Sequence, residues 1–190
     1  GAFIAAVDTR TKSLNTQKFG VLLSGGVDSS FIALICKRLG QPFVCFSVGF
    51  TGGKDLAAAK IVAEKLKLRL IQEELSLAVV EKAVKKAVKI LSSSDPVAVS
   101  IAAVEVAAFE LAKKHKITNL FGGLGSEEIF AGYRRHALAK EVNAECWRGL
   151  AGRWQRDFVR DFAVASYFKV NALTPFLDKA VIVAAMRCKP

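Results

Sequence analysis

No segment constrains this chain more than Ser24-Gly25-Gly26-Val27-Asp28-Ser29-Ser30. It follows a short apolar run, Phe19–Leu23, and precedes a segment with Phe31, Leu34, Ile35 and Leu39 at helical spacing, which Gly40 closes. Strand, tight glycine turn and helix in that order let bare backbone N–H groups approach a phosphate. The helix beginning at about Asp28 points its positive end at the same anion. Ser24, Ser29 and Ser30 add hydroxyl donors, and Asp28 adds a carboxylate for a hard cation such as Mg²⁺. The Gly-Lys-Ser/Thr ending of a Walker A loop is absent.

The rest of the chain repeats the alternation. Phe43–Val48 reads as a second strand, Gly49–Asp55 as a glycine-rich loop, Leu56–Leu68 as a helix and Arg69–Glu73 as a short strand. Ser76–Leu91 is an amphipathic helix whose lysines, Lys82, Lys85, Lys86 and Lys89, form a solvated face. Ser92–Pro96 breaks the chain, Val97–His115 is a mostly buried helix carrying Glu105 and Glu110, and Asn119–Phe121 is a buried strand. From there to Pro190 the reading is helical, with a break at Asn171–Pro175. Strands alternating with helices predict an α/β fold with a doubly wound, mainly parallel, Rossmann-like sheet. The expected organisation is a single domain over residues 1–190. Its nucleotide-binding core spans about 19–133 and a helical, substrate-covering region about 134–190.

Two further segments carry chemistry. Gly122-Gly123-Leu124-Gly125-Ser126-Glu127-Glu128 follows an apolar strand, so its glycines lie at the carboxyl edge of the sheet, where ligands of open α/β folds bind. Glu127 is placed to face Asp28 across a shared metal. Thr174-Pro175-Phe176-Leu177-Asp178-Lys179 reads as a turn, an N-cap at Asp178 and a helix start, from which Lys179 reaches toward pyrophosphate.

With 52% hydrophobic residues the chain is not disordered, and no apolar run is long enough to span a membrane. Four scattered cysteines, with no Cys-x-x-Cys pair, exclude zinc and dithiol motifs and point to a reduced, cytoplasmic protein. The formal charge of +11 suits ATP, pyrophosphate, a carboxylate or RNA. Arg134, Arg135, Arg148, Arg153, Arg156 and Arg160 follow the second loop and suit carboxylate or phosphate recognition. His115 and His136 are expected at the surface.

The first loop resembles the pyrophosphate-gripping loop of the N-type ATP pyrophosphatases, Ser-Gly-Gly-x-Asp-Ser. The three segments, in this order, are similar to the synthetase domain of the asparagine synthetases over roughly residues 19–190. They lie nearest to the asparagine-synthetase-domain-containing relatives that lack a glutaminase domain. The resemblance implies an adenine nucleotide α-hydrolase-like fold, with ATP and Mg²⁺ as cofactors. It implies that the main chain near Leu22 and Val48 holds the adenosine, that Gly122 and Gly123 line the nucleotide, and that Asp28 and Glu127 hold magnesium. It also places Lys179 on the pyrophosphate and the acyl-adenylate. The implied reaction adenylates a small carboxylate, releases pyrophosphate and forms an amide with ammonia. The chain departs from the family pattern at Leu124 (a glutamate in the family), Glu127 (an aspartate), Phe162, Asn171 and Leu173. Only about 18 residues precede the first strand and no cysteine nucleophile opens the chain, so the expected ammonia source is free ammonia or a separate glutaminase. The alternatives are a tRNA-modifying ATP pyrophosphatase and a catalytically weak ATP-binding homologue. RNA is the less favoured partner, because aromatic platforms and an added RNA-binding domain are not evident in the sequence.

Overall fold

Five parallel strands form one sheet in a computed structural model of the chain, which describes residues 1–15 and 17–188. They are β1 (Phe19–Leu22), β2 (Phe43–Phe50), β3 (Leu70–Leu75), β4 (Asn119–Phe121) and β5 (Asn171–Leu173), in the order β3-β2-β1-β4-β5. The chain winds outward from β1 to β3, then crosses back to pair β4 on the other side of β1. That reversal opens a crevice beyond the carboxyl ends of β1 and β4, where open α/β sheets bind ligands. Both glycine loops leave the sheet there.

Helices α1 (Ala2–Ser13), α2 (Val27–Arg38), α3 (Lys54–Lys65) and α10 (Lys179–Met186) cover one face. Helices α4 (Leu77–Leu91), α5 (Pro96–Lys114) and α9 (Val159–Phe168) cover the other. Alternate strand residues serve the two cores: Phe19, Val21 and Leu23 face the first, and Phe46 and Leu120 the second. Short helices α6 (Ser126–Ile129) and α7 (Arg134–Ala137), then α8 (Val142–Ala151) and a π-helical turn at Trp154–Phe158, cross between the second loop and α9. Local signals place the helix ends. Ser76 caps α4 by accepting from Val79 N–H, and Asp95 caps α5 by accepting from Ala98 N–H at 2.7 Å, with Pro96 at the first helical position.

Three expectations change. Strand β2 runs two residues into the expected Gly49–Asp55 loop, because Gly49 and Phe50 pair with Glu74 and Leu75 of β3. The first residues, given no element in the sequence, form α1 and pack on α2 and α10. The expected break at Asn171–Pro175 is in part a strand. Lys169 turns the chain with φ 53°, and Asn171 N–H donates to Thr118 C=O at 2.8 Å, so the sheet gains β5 within the segment read only as a break between helices. Three residues are too few to show a period. The helical reading toward Pro190 ends at Met186, and Lys189 and Pro190 lie outside the described residues. Among the described residues no helix is long and apolar enough to cross a membrane.

Candidate active site

Loop Ser24–Gly26 turns from β1 into α2 with Gly25 at φ 81°, a backbone region that side chains disfavour. A Cβ on Gly25 would stand 2.5 Å from the main-chain carbonyl carbon of Ala58 in α3. The serines hold this shape. Ser24 Oγ accepts from Gly26 N–H at 3.3 Å, and Ser29 and Ser30 donate to the Gly26 carbonyl at 3.2 and 2.7 Å. Ser29 is buried and its hydroxyl struts the loop, while it also borders the cavity described below. The unpaired N–H groups in the first turn of α2 remain for an anion. Gly25→Ala is expected to cost about 1–3 kcal/mol from backbone strain alone, with the clash added. An unchanged melting curve would show that the loop is not built as described.

The second loop closes on the first. A Cβ on Gly123 would lie 3.3 Å from Asp28 Cβ, and one on Gly125 (φ 98°) only 2.4 Å from Leu177 Cδ2 in the turn Pro175–Leu177. All three segments singled out in the sequence therefore meet. Between them is a cavity of about 440 Å³ bordered by Ser24, Asp28, Ser29, Gly122, Gly123 and Glu127. A neighbouring cavity of about 170 Å³ is lined by Leu22, Ser24, Ser47, Val48, Asp55 and Glu105; Leu22, Ser24 and Glu105 border both. Lys179 is not among the lining residues of either cavity. It is exposed at the start of α10, just beyond the Asp178 cap, which Arg10 holds at 3.0 Å. A cavity of about 470 Å³ at the opposite edge, around Phe19 and Phe43, touches neither loop.

Adjacent acids in the second loop have separate fates. Glu127 faces solvent and the cavity, and the Tyr133 hydroxyl is hydrogen-bonded to it; burial and that bond push the Tyr133 phenol up to about 12. Glu128 is fully buried, clamped by Arg153 and by Arg156 at 2.7 Å. Arg153 also meets Asp157 at 3.3 Å, and Arg160 meets Asp157 at 3.2 Å and Asp161 at 2.7 Å. Burial pushes the Arg153 guanidinium down. Burial works to raise Asp157, but the Arg156 hydrogen bond and the three guanidiniums hold it below the ordinary carboxylate range.

The arginines expected to receive a substrate carboxylate are thus largely committed to acids of this chain. Sequence reasoning missed that cluster. Its signal was the four-residue spacing of Arg153, Asp157 and Asp161. His136 is also corrected: it is buried, with Nδ1 accepting from Tyr133 N–H at 3.2 Å, whereas His115 is exposed as expected. Cys36 and Cys45 are buried core thiols, which burial pushes up to about 12.

No salt bridge among the described residues engages Asp28 or Glu127. Nor do the described residues contain a group of three or more His, Cys, Asp or Glu fit to hold a metal alone. Two hard-oxygen donors without basic partners on one cavity suit a Mg²⁺ that takes its other ligands from phosphate and water.

Residues 1–167 match the family model described as asparagine synthase. Asparagine synthetase B (glutamine-hydrolyzing) of Escherichia coli strain K12 is 31% identical over 97% of this chain and 37% of its own length. The asparagine synthetase (glutamine-hydrolyzing) of Brassica oleracea is 33% identical over 96% of this chain and 34% of its own. The chain spans about a third of the length of these curated relatives. Among solved structures, NMN synthetase from Francisella tularensis superposes with a TM-score of 0.50 at 15% identity, covering 99% of this chain and 72% of that one, which shows the shared fold.

Proposed function

The chain belongs to the asparagine synthase family, and on that footing we propose that it is an ATP-dependent, AMP- and pyrophosphate-forming amide ligase. One observation carries the reading: at the point where the sheet order reverses, the Gly25 loop and the Gly123 loop touch, and Asp28 and Glu127, free of basic partners, border the same cavity. In this reading the chain acts as one domain, with residues 134–190 covering the site.

The main chain at Leu22 and Val48 holds the base, while Gly122 and Gly123 let the nucleotide lie close to the second loop. N–H groups of the first loop and of α2 grip the β,γ-phosphates. Asp28 and Glu127 would hold magnesium, which neutralises phosphate charge when bound. Lys179 would reach the pyrophosphate by extending its exposed side chain. A carboxylate oxygen of the second substrate attacks the α-phosphorus, the bond to the bridging oxygen breaks, and pyrophosphate leaves with the electron pair. Ammonia, free or delivered by a separate glutaminase, then displaces AMP from the acyl carbon. The protein contributes positioning and charge neutralisation.

Product analysis with α- and γ-labelled ATP tests this, with Mg²⁺ and either aspartate plus ammonium, a small-molecule extract, or bulk tRNA. AMP and pyrophosphate with a small carboxylate are expected. Turnover only with tRNA would move the substrate to RNA, and ADP with phosphate would overturn the reading.

A further inference from the structure

The cavity at the amino edge of the sheet serves neither glycine loop. Phe19 and Phe43 open β1 and β2 there, and Arg69 and Ile117 lie just before β3 and β4. At about 470 Å³ it exceeds either cavity of the nucleotide side, and it falls within the roughly 300–1,000 Å³ of pockets that enclose small molecules. Its walls are apolar: Phe43, Val44 and Ile71 are only half-buried, and buried Ile117 stands beside them. Its rim is cationic. Lys18 and Arg69 are exposed around it, with His115 next to them, and no Asp or Glu is among the residues that line it.

These charges are unspent. No salt bridge among the described residues engages Lys18 or Arg69. Glu73 of β3 is already held by Lys114 at 2.8 Å. The carboxyl end of α5 reaches the same edge with its partial negative charge, and Lys113 and Lys114 in its last turn meet that charge. The main chain fixes the rim: Cys45 N–H donates to Arg69 C=O at 2.8 Å, and buried Asn119 donates to Lys18 C=O at 3.3 Å. Asn119 also donates to Gln17 Oε1 at 3.1 Å, so Gln17, which lines the cavity too, has its amide N–H groups to offer.

We propose that this cavity is a second ligand site, for a small organic anion. A carboxylate or phosphate head binds Lys18 and Arg69 at the rim, and an apolar body covers Phe43, Val44 and Ile71. Both parts are needed. An inorganic anion would leave the apolar wall in water, and a neutral apolar molecule would leave two cations unanswered. The same wall favours a small molecule over a nucleic-acid strand, whose phosphates would engage the rim and leave the recess unfilled. The site is separate from the Gly25 and Gly123 loops and does not depend on the amide-ligase reading.

The test titrates the full chain with phenyl phosphate, beside inorganic phosphate, benzyl alcohol and poly(U), with and without ATP and Mg²⁺. Phenyl phosphate is expected to saturate a single site whether or not ATP is present. Inorganic phosphate and benzyl alcohol, each lacking one half of the probe, should bind at least ~10-fold more weakly. Lys18→Gln and Arg69→Gln should each weaken phenyl phosphate about 10-fold or more, with melting curves like the wild type's, since both side chains are exposed. Asp28→Asn should leave that binding unchanged. Methyl NMR signals of Ile71 and Ile117 should shift with the probe, which locates it without any variant. Absence of binding, displacement by ATP, equal affinity for inorganic phosphate, or indifference to both rim variants would overturn the assignment. Poly(U) binding that the rim variants abolish, without binding of phenyl phosphate, would also overturn it and give the face to nucleic acid.

Discussion

Replacing Arg153 by methionine is expected to cost about 3 kcal/mol of folding stability, because it strands a fully buried carboxylate. Glu128 is 0% exposed and Arg153 3% exposed, and the pair is tied into Asp157 at 3.3 Å. Removing one member of a buried ion pair leaves the other's desolvation cost uncompensated, typically by about 3–5 kcal/mol. Arg156, still 2.7 Å from Glu128 but 45% exposed, keeps the loss at the lower end. For a chain of this size that corresponds to a melting point lower by about 6–12 °C. The double variant Arg153→Met with Glu128→Leu should recover part of the loss, since it removes both charges. If the single variant melts like the wild type, the cluster is not the strut described here. Acid should act in the same direction. Asp157 is held below the ordinary carboxylate range, so the stability it contributes is present at neutral pH and is lost as pH falls through its folded-state value.

Asp28→Asn should separate catalysis from folding. Asp28 lies in the first turn of α2 and borders the cavity, and no salt bridge among the described residues holds it. Losing its charge at the helix start costs the fold only about 0.3–1 kcal/mol. Loss of a metal-binding carboxylate removes several kcal/mol of charge stabilisation from phosphoryl transfer, so Mg²⁺-dependent ATP cleavage is expected to drop about 1,000-fold. The measurement is labelled-ATP turnover beside a melting curve. Undiminished cleavage in a well-folded variant would refute the assignment of Asp28; a large drop in melting point would make it a structural residue.

Sequence alone determined the parts of this protein that local rules govern. Each glycine loop sits between an apolar run and a helical period, so strand, turn and helix were legible there, and with them the place of both loops at the sheet edge and the parallel α/β class. Those features depend on backbone reach, glycine conformation and spacing within a few residues, all of which are written consecutively. What the tertiary structure decided depends on residues far apart in the chain. Strand β5 has three residues and exists because β4 offers it a ladder. Ser29 and Ser30 donate to the loop's own carbonyl, and Lys179 starts a helix whose preceding turn, rather than its lysine, meets the second loop. Of two adjacent glutamates, one faces the cavity and its neighbour is sealed against Arg153, 25 residues on. A charge's role follows from its burial and its partner, and both are properties of packing rather than of order along the chain.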